Sequence, residues 1–281
     1  MRTNHAPNPK KSIGNFLPLL LIWSMVAITL GPLLWVAGIS FKTTREFSTR
    51  PFALPEKLNF SSYVQVLTDG RMIHFIENSV IVTFWAILIV LVASVLAGYA
   101  LARIPFRGSN FLFILFILSD AIPIFVVIIP LFFLLQKTGL SGSRWGLILP
   151  YSAMKIGLSV FIMRGFFRSV STEMEDAARI DGAATLRMIW SIMIPVVRPG
   201  VLVVVILNFI SFWNEYFLAA VLLPSQDLYT LPAGLAAVFV GKYATNWPLL
   251  SAGLVISILP TLVLFSFAQG KIIEGWTVTV K

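Results

Sequence analysis

Three ionisable residues, Asp120, Lys155 and Glu215, lie inside long apolar runs of this 281-residue chain. A charge placed in hydrocarbon costs about 2.5–3.5 kcal/mol even on lenient scales, so each marks a helix contact, the end of a span or a route for ions or solute. Glu215 has the richest surroundings. It follows Trp213 and Asn214, which sets a carboxylate and an amide that can hydrogen-bond hydroxyls beside an aromatic face suited to the C–H surface of a sugar. Asn208 and Ser211 extend the same polar face. Trp213, Asn214, Glu215 and Asn208 are therefore the substrate-pathway candidates, with helix packing as the plain alternative. For Asp120 and Lys155 the first reading is a pair between neighbouring helices, or positions at span ends. The rival use of the same residues is a proton- or ion-coupled secondary transporter with Asp120, Lys155 and Glu215 as its relay.

Other chemistry is poorly supplied. Cysteine is absent, so disulfides and thiolate metal sites are excluded, and His5 and His74 have no matching carboxylate spacing, so no metal site is assigned. The Gly-Lys pairs at Gly241 and Gly270 do not belong to a Walker A loop, so no phosphate cradle is expected and the chain does not itself hydrolyse ATP. No local set of nucleophile, base and orienting group is recognisable, so the chain reads as a non-enzyme with no catalytic residues.

The elements that position these residues follow from composition. With 58% hydrophobic and 12% charged residues and a mean hydropathy of +0.89, the chain cannot bury its apolar surface in one water-soluble core. Runs of about 20 uncharged residues match a helix crossing about 30 Å of hydrocarbon. Six spans are expected, at residues 16–40, 79–101, 111–135, 145–163, 201–220 and 248–268, giving an all-α polytopic membrane protein. The first is too long, and lacks the small-residue cleavage site, to be a removed signal peptide. The basic residues sit at span flanks rather than in one stripe with interleaved aromatics, which argues against nucleic acid despite the net charge of +9. An even number of spans puts both termini on one side, and a modest excess of Lys and Arg assigns that side to the cytoplasm. The domain reading is residues 1–70 for the N-terminal tail, first span and external loop, 71–270 for the membrane core, and 271–281 for a cytoplasmic tail.

Between the fourth and fifth spans lies a polar, helix-forming island from Thr172 to Pro195. Thr172 is placed to cap a helix of about residues 172–190, whose first turn carries Glu173, Glu175 and Asp176 at the positive end of the helix dipole. Glu175 and Arg179 stand four apart in the favourable order. Ala177, Ala178 and Ala184 surround Gly182, which costs about 1 kcal/mol in a helix interior and so implies a bend or a tight contact. Pro195 and Pro199 end the pattern. Four acids against two arginines disfavour an amphipathic helix held to anionic lipid, which is normally rich in Lys and Arg. A protein socket is the better partner.

Glu175, Asp176, Ala177, Ala178, Gly182 and the ending Ile192, Ile194, Pro195 resemble the EAA motif of ABC importer permeases. Asp176 stands where the motif has alanine, and Met193 and Ile194 replace the commonest leucine. Other segments resemble the carbohydrate-uptake branch, typified by the smaller maltose permease subunit: Ser40-Phe41-Lys42-Thr43, Asn78-Ser79, Gly98-Tyr99-Ala100-Leu101-Ala102-Arg103 with Phe106-Arg107-Gly108, Trp213-Asn214-Glu215-Tyr216, and the stretch from Gln269 to Trp276. The tail from Thr277 to Val280 departs from the family's usual ending. The resemblance implies a binding-protein-dependent permease of the bacterial inner membrane, whose EAA region is a coupling helix docking on a separate cytoplasmic ATPase. The ATPase-coupling residues it implies are Glu175, Asp176, Ala177, Ala178, Arg179, Asp181, Gly182 and Pro195. The partners it implies are a second permease, two ATPase subunits carrying ATP and Mg, an external solute-binding protein and a small-molecule sugar; no cofactor is expected on this chain.

Overall fold

The computed structural model describes residues 10–68, 70–239 and 245–278; His5, Gly241 and the last three residues of the tail lie outside the described residues. The described residues are helical without strands, and they group into two compact units: residues 1–68 with 239–256, and residues 69–238 with 257–281.

The first unit opens with α1 (Lys10–Ser40), which is exposed all round from Pro18 to Trp35, as a helix facing lipid requires, and becomes buried at Ile39 and Ser40. The chain then folds into a small polar cap instead of running extended. α2 (Thr44–Thr49) starts where the Thr43 side chain accepts the N–H of Glu46, and α3 (Ser61–Thr68) follows. Lys42 is buried at 1% exposure, with its ammonium donating to the carbonyl of Arg50 at 2.7 Å. Trp35 stacks on Phe52, and Ser40 shares a hydrogen bond with Tyr63.

In the second unit, α4 (Gly70–Arg103) is followed by α5 (Ser109–Asp120), α6 (Ile124–Lys137) and α7 (Trp145–Ser169). α4 and α7 are the packed centre, burying Val82, Ala86, Val90, Leu147, Tyr151 and Met163. Without a hydrophobic drive in lipid, such contact depends on close van der Waals fit, and small residues permit it. Gly98 is one: a Cβ there would stand 2.8 Å from Met163 Cβ. Then come α8 (Thr172–Ile180), α9 (Thr185–Met188), a π-helical turn at Ile189–Met193, α10 (Ile194–Val196), α11 (Arg198–Trp213), α12 (Phe217–Leu222) and α13 (Leu231–Phe239). The last helix, α14 (Trp247–Val278), contributes residues to both units.

The structure corrects several expected boundaries. Four helices are individually long and apolar enough to span a membrane, and two further candidates are bent pairs, so the count reaches six only if each bent pair is one span. The expected third span is α5 and α6, meeting at 96°. Pro123 lacks an N–H and disfavours helical backbone at Ile122, so the chain turns there instead of continuing as one straight span. The expected fifth span stops at Trp213, and its last residues belong to α12 after a break at residues 214–216.

One buried clamp holds the connection after α12. Asn78 is fully buried and donates Nδ2 to the carbonyls of Asp227 (2.7 Å) and Tyr229 (3.1 Å), while its Oδ1 accepts from Arg144 Nε at 2.8 Å. Beside it, Ser79 Oγ accepts the N–H of Leu231 at 2.7 Å. Asn78→Ala orphans two carbonyls and a guanidinium, and is expected to cost about 1–3 kcal/mol. Faster protease nicking around Asp227 in detergent would show it, with Asn78→Asp intermediate.

Candidate coupling helix and translocation seam

α8 is shorter and better delimited than the sequence suggests. Its cap is Ser171, not Thr172, with the Ser171 side chain accepting the N–H of Glu173. The helix ends at Ile180 rather than near residue 190, through a Schellman closure in which the N–H of Gly182 meets the carbonyl of Arg179 and that of Ala183 meets the carbonyl of Ala178, both at 3.0 Å. Gly182 therefore terminates the helix rather than sitting inside it. Its φ is +77° and nothing lies within 4 Å of a Cβ built there, so glycine is required by backbone conformation and not by a tight contact.

The two faces of α8 differ in chemistry. Glu175 and Ala178 are buried, with Glu175 at 3% exposure. Its carboxylate lies 2.6 Å from Arg103 Nε and accepts from the Tyr99 hydroxyl at 3.2 Å, while Arg179 stays at 4.0 Å and largely exposed. Arg103 also donates to the carbonyl of Val170, just before the cap. Gly98, Tyr99 and Arg103 thus act together: Gly98 seats α4 against α7, and Tyr99 and Arg103 hold α8 to the end of α4. Sequence reasoning quoted this stretch without seeing its purpose. The signal was an arginine ending an apolar helix with a tyrosine one turn before it, on the side of the chain that also carries the acidic helix.

Asp176, Ala177, Arg179, Asp181 and Gly182 are on the exposed side, with Met174 at 41% and Ile180 at 86% exposure. Leu186 continues this face at 63%. Pro195 is exposed in α10, beyond the π-helical turn, where the chain bends by 82° into α11.

The pathway candidates come together only in part. Asn208 is buried and donates to Ser159 Oγ at 3.0 Å, joining α11 to α7. Glu215 lies in the break after α11, accepting a short hydrogen bond from the Tyr151 hydroxyl and the N–H groups of Leu218 (2.8 Å) and Ala219 (3.2 Å). It is a hinge-point acceptor rather than a residue of a continuous helix. Tyr151 stacks on Phe212 with ring centroids 5.3 Å apart, a contact not anticipated from sequence. Trp213 is an internal packing residue here: 3% exposed, stacked on Phe209, its indole N–H donating to the carbonyl of Ser257 at 2.9 Å. Asn214 is exposed and caps α11, donating to the carbonyl of Ile210. Among the described residues, Asp120 and Lys155 form no ion pair with each other or with Glu215, so the expected pairing is absent. Asp120 ends α5 at the bend, whereas Lys155 sits in the middle of α7.

α8 is thus a capped helix held to α4 by a buried ion pair, with apolar side chains exposed beside acids on its other side. Comparison with known proteins decides the family. The family described as "binding-protein-dependent transport system inner membrane component" matches residues 89–272. This chain belongs to that family of ABC transporter permeases. The permease is 36% identical to the diacetylchitobiose uptake system permease protein NgcG of Streptomyces coelicolor, over 90% of this chain and 84% of that protein. It is 33% identical to the arabinooligosaccharides transport system permease protein AraQ of Halalkalibacterium halodurans, over 89% and 90%. Its fold is shared with a chain of a bacterial ABC transporter involved in the import of the acidic polysaccharide alginate, at a TM-score of 0.84, 24% identity, and coverage of 95% of the permease and 99% of that chain.

Proposed function

We propose that the permease forms half of the translocation pathway of an ATP-driven carbohydrate importer and is coupled to a separate ATPase through α8. The carrying observation is the two-sided character of α8. Its buried side is tied to α4 through Glu175 and Arg103, and its exposed side offers Met174, Ala177 and Ile180 flanked by Asp176, Arg179 and Asp181. An isoleucine 86% exposed, on a segment whose charge balance disfavours anionic lipid, is suited to a protein cleft. Force applied to that face reaches the membrane through the ion pair and the short Ser171 connection.

The assembly then requires a second permease for the other half of the pathway, two cytoplasmic ATPase subunits that hold ATP and Mg, and an external solute-binding protein. The membrane is the bacterial inner membrane, with both termini cytoplasmic. Diacetylchitobiose and arabinooligosaccharide permeases among the relatives support a saccharide as the solute. The secondary-transporter alternative loses support, because Asp120, Lys155 and Glu215 are not joined into a relay among the described residues and Glu215 spends its acceptors on Tyr151 and two backbone N–H groups.

Cysteine-specific crosslinking from Ile180→Cys, in membranes containing the complete transport system, tests the docking. The expected product is an adduct with the ATPase subunit that strengthens or weakens as ATP is added. Adducts with lipid alone, together with uptake that collapses under a protonophore but survives ATP depletion, would favour the secondary transporter.

A further inference from the structure

Lys155 stands ten residues from the start of α7 and fourteen from its end, about 15 and 21 Å along the axis at 1.5 Å per residue. From that depth its stem does not carry the ammonium to an interface, the escape open to lysines near helix ends. Among the described residues it has no ion-pair partner and no hydrogen-bond acceptor. Arg164, the next cation along α7, is by contrast accounted for: it donates to the carbonyl of Leu101 and lies 3.7 Å over the ring of Phe113.

The direction in which Lys155 projects follows from its neighbours. Tyr151, Lys155 and Ser159 recur at four-residue spacing and share one face of α7. Tyr151 meets Phe212 and Glu215, and Ser159 meets Asn208, so the positions one turn before and one turn after Lys155 both touch the α11 side. Lys155 is half-buried, and helical spacing places it between these two contacts, on the face of α7 that meets α11. The flanking polar groups leave it no counter-charge. The Glu215 carboxylate is taken up by Tyr151, Leu218 and Ala219, and Asn208 presents an amide. The two helices are in contact on both sides of it, which favours a small anionic group over an inserted helix of another subunit.

We propose that this seam binds an acidic group of the transported solute, with Lys155 as the residue that receives it, so that the solute class is an acidic saccharide bearing a carboxylate or sulfonate. The inference rests on the importer reading above. A lysine ammonium has three donors for an oxyanion, and an isolated charge in hydrocarbon is tolerated when it is hydrated and functional. Solute oxygens replacing that water would recover its solvation in the occupied state.

The test uses the complete importer in proteoliposomes, supplied with neutral disaccharides headed by cellobiose and acidic ones headed by digalacturonate. Wild type is expected to take up acidic disaccharides in an ATP-dependent manner. Lys155→Met should lower that uptake about tenfold or more, the loss expected for a charge-assisted contact, and Lys155→Arg should keep much of it. Lys155→Met should leave thermal unfolding in detergent unchanged or raised, since it removes an unpaired charge. A destabilised Lys155→Met, or one that loses the second permease on purification, would place the counter-charge inside the assembly and overturn the proposal. ATP-dependent uptake confined to neutral disaccharides would overturn it while leaving the importer reading intact. Uptake of any of these solutes that proceeds without ATP would overturn that reading too.

Discussion

Replacing Gly182 by valine is expected to reduce ATP-driven uptake about tenfold or more while the permease still inserts and retains α4, α7 and α11. The reason is conformational. Gly182 holds φ at +77° to close α8, and a β-branched residue is a backbone outlier there, costing an L-residue about 1–2 kcal/mol or more. The chain escapes by unwinding the last turn of α8, which displaces Ile180 and Asp181 from the exposed face. Since nothing lies within 4 Å of the missing Cβ, crowding inside the permease contributes nothing. Gly182→Asn separates the remaining explanations. Asparagine is bulky yet tolerates the left-handed region, so it should keep most of the uptake that valine loses. Equal losses for asparagine and valine in an uptake assay would show that Gly182 matters because the docked partner touches it, and would sink the conformational argument.

What the sequence made legible, and what it hid, divides along the range of the interactions. Hydrophobic run length reported the membrane helices, because a membrane span must satisfy its own backbone and advertise that in about 20 consecutive residues. The acidic first turn and the charge balance likewise exposed α8, since capping and dipole effects are local. The same local rules left the end of α8 ambiguous. A glycine within a helical pattern is compatible with both a tolerated interior position and a stop, and only the hydrogen bonds of Gly182 and Ala183 distinguish them. The sharpness of the bend at Pro123, where a kink was the natural reading, was hidden for a similar reason: membrane helices accommodate prolines, and Pro130 and Pro150 do lie within helices here.

The partners of the polar residues were not legible at all. Asn208 and Ser159 are 49 residues apart, and Tyr151 and Glu215 are 64 apart. No periodicity connects such positions; only the antiparallel packing of α7 and α11 does. Trp213 shows the cost of reading a motif by residue type, because its indole N–H is spent on the backbone of α14 and its ring on Phe209. Lys155 shows the opposite case, where a charge assigned to helix pairing or a span end sits mid-helix with no pair among the described residues.

Loss of Arg103 is expected to release α8 from the membrane helices. Arg103 and Glu175 are almost fully enclosed, with side-chain exposures of 10% and 4%, so removing one partner leaves the other as a buried, poorly compensated charge. Breaking such a pair costs about 3–5 kcal/mol, and Arg103→Met also abolishes the bond to the carbonyl of Val170 that steadies the entry to α8. Undocking of α8 is a cheaper response than global unfolding, because the segment can carry Glu175 into water and leave the α4 and α7 core intact. Arg103→Met should therefore make residues 171–184 sensitive to protease while uptake falls steeply and the rest of the chain stays protected. Glu175→Gln should be milder, since the amide can still meet the Tyr99 hydroxyl. The decisive variant is Arg103→Met with Glu175→Met. Replacing a buried ion pair by apolar side chains of similar volume is often nearly neutral, so the double variant should recover protection that Arg103→Met loses. If the loss of protection in the double variant equals the summed losses of Arg103→Met and Glu175→Met made singly, the ion pair is not what holds α8, and force from the ATPase must reach α4 by another contact.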